Sequence, residues 1–146
     1  MEFKSITINN FLSYYGCNEI DFSPMTTIFI GQNNTGKSKL FDAINFALYG
    51  RIYDTQKELW ETNEKEIASL IINKHKINES IQNQESVIEV SVTLILDGVS
   101  SANSFMNVER TFIYKLIEKK FEFSKSNLTV TEIDKFDNNP IPYLKS

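Results

Sequence analysis

The 146-residue sequence holds one cysteine, Cys17, and one histidine, His75. A lone cysteine excludes an internal disulfide. With a single histidine beside it, no structural zinc site of cysteine and histidine ligands can be assembled. Arginine is scarce too: Arg51 and Arg110 are the only two, against thirteen lysines. Acidic residues outnumber basic ones by 19 to 15, for a net charge of −4. A domain that coats nucleic acid neutralises phosphates and is usually basic. The balance therefore argues against that class, while leaving room for contact at one face or through a partner. No apolar run is long enough to span a membrane. The N-terminus lacks a basic-then-apolar signal, so a cytoplasmic protein is expected. Neither an internal repeat nor a low-complexity tract is present. What remains, 41% apolar and 12% aromatic, is enough for one domain with a core.

Patterning divides the chain. The segment from Phe3 alternates through Ile6 and Ile8, pauses at Asn9-Asn10 and resumes through Tyr15; Gly16 punctuates it. Asn18 to Phe22 alternates again, which predicts two antiparallel edge strands. Thr26 to Ile30 is apolar and β-branched without alternation, as a strand buried on both faces should be. After Ser38 the period becomes helical, with Leu40, Phe41, Ile44 and Leu48 apolar and Gly50 as C-cap. Glu58–Glu61 and Glu66–Ile72 predict short helices, and Asn78–Ser86 a polar surface loop. Val87–Leu96 reads as a long strand ending at the hairpin signal Asp97-Gly98. Asn107–Tyr114 reads as a strand. Phe121–Ser124 and Leu128–Thr131 read as two more, flanking a second hairpin at Ser126-Asn127.

Gly31-Gln32-Asn33-Asn34-Thr35-Gly36-Lys37-Ser38 fits G-x-x-x-x-G-K-[ST], the phosphate-binding loop. Gly31 and Gly36 let the backbone curl so that successive amides face one anion. The helix that follows adds its positive end. Lys37 is expected to reach the β- and γ-phosphates of ATP and to stabilise transition-state charge, and the Ser38 hydroxyl to ligate Mg2+. Lys39 completes the set of candidate nucleotide-binding residues, Gly31 to Lys39. Asn34 stands where many such loops carry glycine, and asparagine tolerates a left-handed backbone.

The stretch from Thr27 to Gly50, with Asn33 in the loop and Asp42-Ala43-Ile44 on the helix, resembles the N-terminal head segment of SMC/RecF-like ABC ATPases. That family includes the anti-phage ATPases DndD and Lamassu. The opening Lys4 to Gly16 resembles the family's first strand and turn, although Leu12 stands where members often carry Arg or Lys. Over residues 86–131 the strand-hairpin-strand layout agrees, with Arg110 in a family-like place. The resemblance implies an α/β P-loop NTPase fold: an ABC N-terminal lobe (residues 1–137) with a mixed β-sheet, antiparallel hairpins and a P-loop helix. Residues 138–146 would be an exit linker toward a coiled coil or C-terminal lobe. It implies an ATP hydrolase using ATP and Mg2+. Its signature motif, acidic Walker B pair and water-activating residue would sit in a C-terminal lobe on the same or another chain, since no Ser-Gly-Gly or Asp-Glu pair occurs here. The implied partners are that lobe, a second head joined by ATP, DNA touched by the assembled complex, and a nuclease or effector subunit. The work served would be repair, chromosome maintenance or anti-phage defence.

Rival readings remain for several residues. Asp97, after four apolar positions, could be the Walker B acid of a self-contained small NTPase or kinase, or simply the end of a hairpin strand. A non-hydrolysing scaffold module is a third possibility. Arg110 reads as a nucleotide or partner contact, or as a strand-edge surface arginine. His75 between Lys74 and Lys76 reads as a DNA-phosphate contact or a solvated loop. Lys115, Lys119 and Lys120 read as a solvated hairpin face. Trp60 and Tyr14-Tyr15 read as packing aromatics rather than stacking platforms, and Cys17 as inert.

Overall fold

The computed structural model describes residues 2–22, 35–99, 103–136 and 140–141. Two long strands open the chain, β1 (Glu2–Phe11) and β2 (Tyr14–Asp21). Helix α1 (Thr35–Tyr49) follows, then a ribbon of β3 (Ile52–Asp54) and β4 (Leu59–Glu61). Helices α2 (Glu64–Ile71) and α3 (Lys74–Gln82) lead to β5 (Val87–Asp97), β6 (Ser104–Ile117), β7 (Lys120–Asp134) and β8 (Pro140–Ile141).

The large sheet has the order β2-β1-β5-β6-β7-β8, and every pairing is antiparallel. The strand expected at 26–30, which would make the sheet mixed, lies outside the described residues. Alternation assigns the faces. Ile6, Ile8, Val90, Val92, Leu94, Val108, Phe112 and Tyr114 are buried beneath the helices. The other face carries Ser91, Thr93, Glu109 and Thr111, with Asn9 donating to Ser91 Oγ at 3.0 Å and Thr93 to Glu109 at 3.1 Å. In the core, Phe46 meets Phe11 at 5.3 Å and Phe112 at 5.0 Å between ring centroids. Tyr114 donates to the Ala68 carbonyl at 2.6 Å, fastening β6 to α2. Burial pushes its hydroxyl pKa above the ordinary value.

Several expectations are corrected. β1 is an interior strand between β2 and β5, not an edge strand. The chain reverses at Leu12-Ser13, not at Gly16, which lies inside β2 with φ 69°. The pause at Asn9-Asn10 is real: the register shifts there and Asn10 has φ 54°. Leu59–Glu61, expected to be helical, pairs with Ile52–Asp54. The Asp54 carboxylate turns that chain by accepting from the Gln56 and Lys57 amides at 3.0 and 3.2 Å. The expected loop at 78–86 is mostly α3, whose outer side is solvated and therefore polar in sequence.

The second hairpin turns at Glu118-Lys119, both at positive φ (50° and 70°). Ser126 and Asn127 sit within β7, opposite Phe112 and Thr111. Two-residue turns of this kind favour asparagine and glycine, so Glu-Lys gave a weak signal and Ser-Asn a false one. Lys119 and Lys120 lie at this turn and Lys115 is exposed, the solvated face expected. Pro140–Ile141, inside the expected exit linker, pairs with β7.

Asn73 joins the two halves of the described fold. Its side chain donates to the Leu12 carbonyl at 2.8 Å and accepts from the Lys76 amide at 2.9 Å, and its amide donates to the Asn10 carbonyl at 2.9 Å. One buried amide thus caps α3 and holds the β1–β2 turn. Asn73→Ala is expected to destabilise the chain by about 2–3 kcal/mol, read as a lower urea midpoint with an unchanged slope.

Candidate functional site

The phosphate-loop motif straddles the start of α1. Gly31, Gln32, Asn33 and Asn34 lie outside the described residues. The backbone of Thr35, Gly36, Lys37 and Ser38 forms the helix's opening turn. That turn contains no acidic residue, so nothing within it offsets the positive helix end. Lys39 is half-buried, beside a cavity of about 320 Å3 bordered by Ser13 and Lys74.

The helix is fixed from its other end. Leu40, Ala43, Phe46 and Ala47 are buried against the sheet. At the C-terminus the Gly50 amide donates to the Phe46 carbonyl at 3.0 Å, with Gly50 at φ 62°, the left-handed cap the sequence predicts. Arg110 reaches across from β6 and donates Nε–H to the Ala47 carbonyl at 3.3 Å. Arg51 donates Nε–H to Asn45 Oδ1 at 3.1 Å, and Asn45 donates to the Phe41 carbonyl at 3.1 Å. The Arg51 guanidinium lies over the Trp60 ring at 4.1 Å and the Tyr49 ring at 4.8 Å.

Arg110 is therefore not the strand-edge surface arginine of one sequence reading. It is half-buried in an interior strand, touching the end of α1. Burial works against its charge and Glu64 of α2 favours it. Trp60 is a half-exposed platform already covered by Arg51, with Tyr53 at its edge. Sequence reasoning missed Arg51, whose only signal was its position one residue beyond the helix-ending glycine.

His75 lies on the first turn of α3 rather than in a loop, edge-on to Tyr15 at 4.5 Å. Lys76 is engaged by Glu79 and Glu85 at 3.1 and 3.3 Å, so the expected basic trio is divided. Tyr15 donates to Glu79, tying β2 to α3. Cys17 is exposed on β2. Asp97 ends β5 opposite Phe105 of the next strand, as a hairpin residue does. The Lys135 ammonium 2.7 Å away holds its carboxyl below the usual range.

Asp42, one turn beyond Lys39, is half-buried, and burial pushes its carboxyl up to about 6 with Lys39 opposing.

With this geometry in place, comparison with known proteins decides the family. The chain matches the AAA domain over residues 5–143. It belongs to that family. It is 26% identical over 132 residues to the DNA replication and repair protein RecF of Lactococcus lactis subsp. lactis, covering 90% of this chain and 35% of the relative. Against RecF of Lactococcus lactis subsp. cremoris it is 35% identical over 79 residues, 51% of this chain and 22% of the relative. Against one subunit of the nuclease SbcCD of Treponema pallidum it is 38% identical over 56 residues, 37% of this chain and 5% of the relative. The chain thus spans about a third or less of the curated relatives it matches. These findings agree with the sequence resemblance: this AAA domain is an N-terminal region of the SMC/RecF-like ABC ATPase kind, with the mixed α/β build of a P-loop NTPase. Among the described residues no helix is long and apolar enough to cross a membrane.

The raised carboxyl of Asp42 fixes the sign of a test. A carboxyl held more tightly protonated in the fold than in the unfolded chain costs stability as pH rises from about 4 to about 6. Asp42→Asn is therefore expected to raise the melting midpoint at pH 7 and to leave it unchanged at pH 4, measured by circular dichroism.

Proposed function

We propose that this chain is the ATP-binding N-terminal lobe of an SMC-like head, residues 1–137, with 138–146 leading toward a coiled coil or a C-terminal lobe. The observation that carries the reading is the placement of the motif. Its last four residues open a helix whose C-terminal end two arginines hold, and the family match covers the same stretch. The helix start supplies backbone amides and, with no acidic residue in its first turn, a positive end, which suit a polyphosphate. Gly31 to Lys39 would bind ATP, with Lys37 on the β- and γ-phosphates and Ser38 on Mg2+. Catalysis would come from positioning and charge stabilisation, with the water-activating residue supplied by the C-terminal lobe. Two heads closing on ATP would then act on DNA in repair, as the names RecF and SbcCD suggest, in the cytoplasm and with a nuclease or effector subunit as a further partner. Chromosome maintenance and anti-phage defence belong to the same proposal.

Asp97 gives the self-contained enzyme no support, since it ends a hairpin strand and its charge is matched by Lys135, one residue beyond β7. The outcome expected from a phosphate-release assay is negligible turnover by residues 1–146 alone and robust turnover once the C-terminal lobe is added. Lys37→Ala should lower ATP affinity at least about tenfold in either case, read by fluorescent-nucleotide titration. Robust turnover by the isolated chain refutes the split site. ATP binding that survives Lys37→Ala refutes the loop.

A further inference from the structure

A crevice of about 210 Å3 lies beside the second turn of α1, bordered by Leu12, Asp42, Ile52, Tyr53, Asp54 and Leu70. Two features distinguish it. Asp42 is half-buried, yet among the described residues its carboxylate accepts no hydrogen bond and joins no ion pair; Lys39 is the one charge acting on it. Asp54 spends one oxygen on the Gln56 and Lys57 amides and brings a second carboxylate to the same crevice. Removing a carboxylate from water without a partner costs free energy, which a matching cation returns.

The walls limit what that cation can be. Two carboxylates repel phosphate, which excludes nucleic acid and nucleotide. No group of three metal-ligating side chains occurs among the described residues, and Leu12, Ile52 and Leu70 offer a metal ion nothing. An apolar side chain would bury Asp42 further with no partner. A long side chain with an apolar stem and a cationic head matches the apolar and the acidic walls, the remaining lining being the polar Thr55 and Gln56. The stem lies along Leu12 and Leu70, the head reaches Asp42, and Tyr53 presents an aromatic ring. The space admits about seven water-sized groups at roughly 30 Å3 each, enough for the non-hydrogen atoms of an arginine side chain. A planar fork serves two carboxylates and an aromatic face better than a point charge does. We propose that this crevice is a docking site for an arginine side chain of a partner protein, with Asp42 as its counter-ion. The inference is independent of the nucleotide reading, because it concerns the second turn of α1 and not the loop before it.

The test is a titration of the isotope-labelled chain with N-acetyl-L-arginine amide, followed by NMR. Saturable shifts of the Leu12 and Leu70 methyl groups and the Asp42 carboxyl are expected. The uncharged citrulline analogue should bind at least about tenfold more weakly. Asp42→Asn, whose folding a melting curve checks first, should weaken arginine binding to the citrulline level. Asp54→Asn gives a second reading on a surface residue and should weaken it to a smaller extent. Absence of saturable shifts, equal binding of citrulline, full binding by Asp42→Asn, or tighter binding of the lysine analogue would each overturn the proposal. ATP binding, read separately, should be unaffected by the arginine amide.

Discussion

The contact between Arg110 and the C-terminal end of α1 sets the geometry on which the candidate site depends. An α-helix leaves its last carbonyls without partners, and they carry the negative end of the helix dipole. Here Arg110 comes from the middle of the sheet, in register with Val92 on one side and Leu128 on the other, and meets the Ala47 carbonyl. Gly50 is what lets it approach. A Cβ on Gly50 would stand 3.1 Å from the guanidinium carbon, and its positive φ already disfavours a side chain. Glycine, cap and arginine are one device. Together they fix where the helix ends and therefore, across its fifteen residues, where it begins.

The β1–β2 turn is anchored by a second device. Leu12 holds a left-handed backbone, φ 52°, which costs a residue with a Cβ on the order of 1 kcal/mol. It persists because its amide donates to the Ile71 carbonyl at 2.6 Å and its carbonyl accepts from Asn73 at 2.8 Å. Phe11 bridges to Ile72 beside them. The turn thus belongs mechanically to the α2–α3 junction and brings Leu12 and Ser13 alongside Lys39 and Leu70.

What was legible in the sequence follows from this. The long strand β5, the helix after the glycine-lysine-serine motif and its glycine cap were readable because each has a local physical signal, such as alternation, helical period or a left-handed cap. The Glu118-Lys119 turn was not, because its residues do not advertise the backbone they adopt. The β3–β4 ribbon was not, since three-residue strands are too short to show a period. Asn73 and Asn63 were readable in principle as helix caps, each accepting the amide three residues on. What hid α3 was its polarity: Ile77 is its only apolar residue packed on the core. The role of Arg110 depends on a contact sixty-three residues away in sequence, which no local window contains, and that of Arg51 on side-chain contacts with Asn45, Tyr49 and Trp60 that leave no periodic signal.

The scarcity of arginine takes on meaning in this light. Both arginines act at the same helix end, one on a backbone carbonyl and one through Asn45. The helix itself has no basic residue in its last turn. Each end of a helix behaves as roughly half a charge. Cations drawn from outside offset the negative half, and the first turn supplies no acid to offset the positive half. The one acidic residue within α1 is Asp42, beyond the first turn over which the helix end acts. The imbalance therefore points toward the start of α1, and an anion placed there would complete it. A chain with a net charge of −4 can thus present a positive locus, because the sign that matters is set by a few contacts at one helix and not by the total.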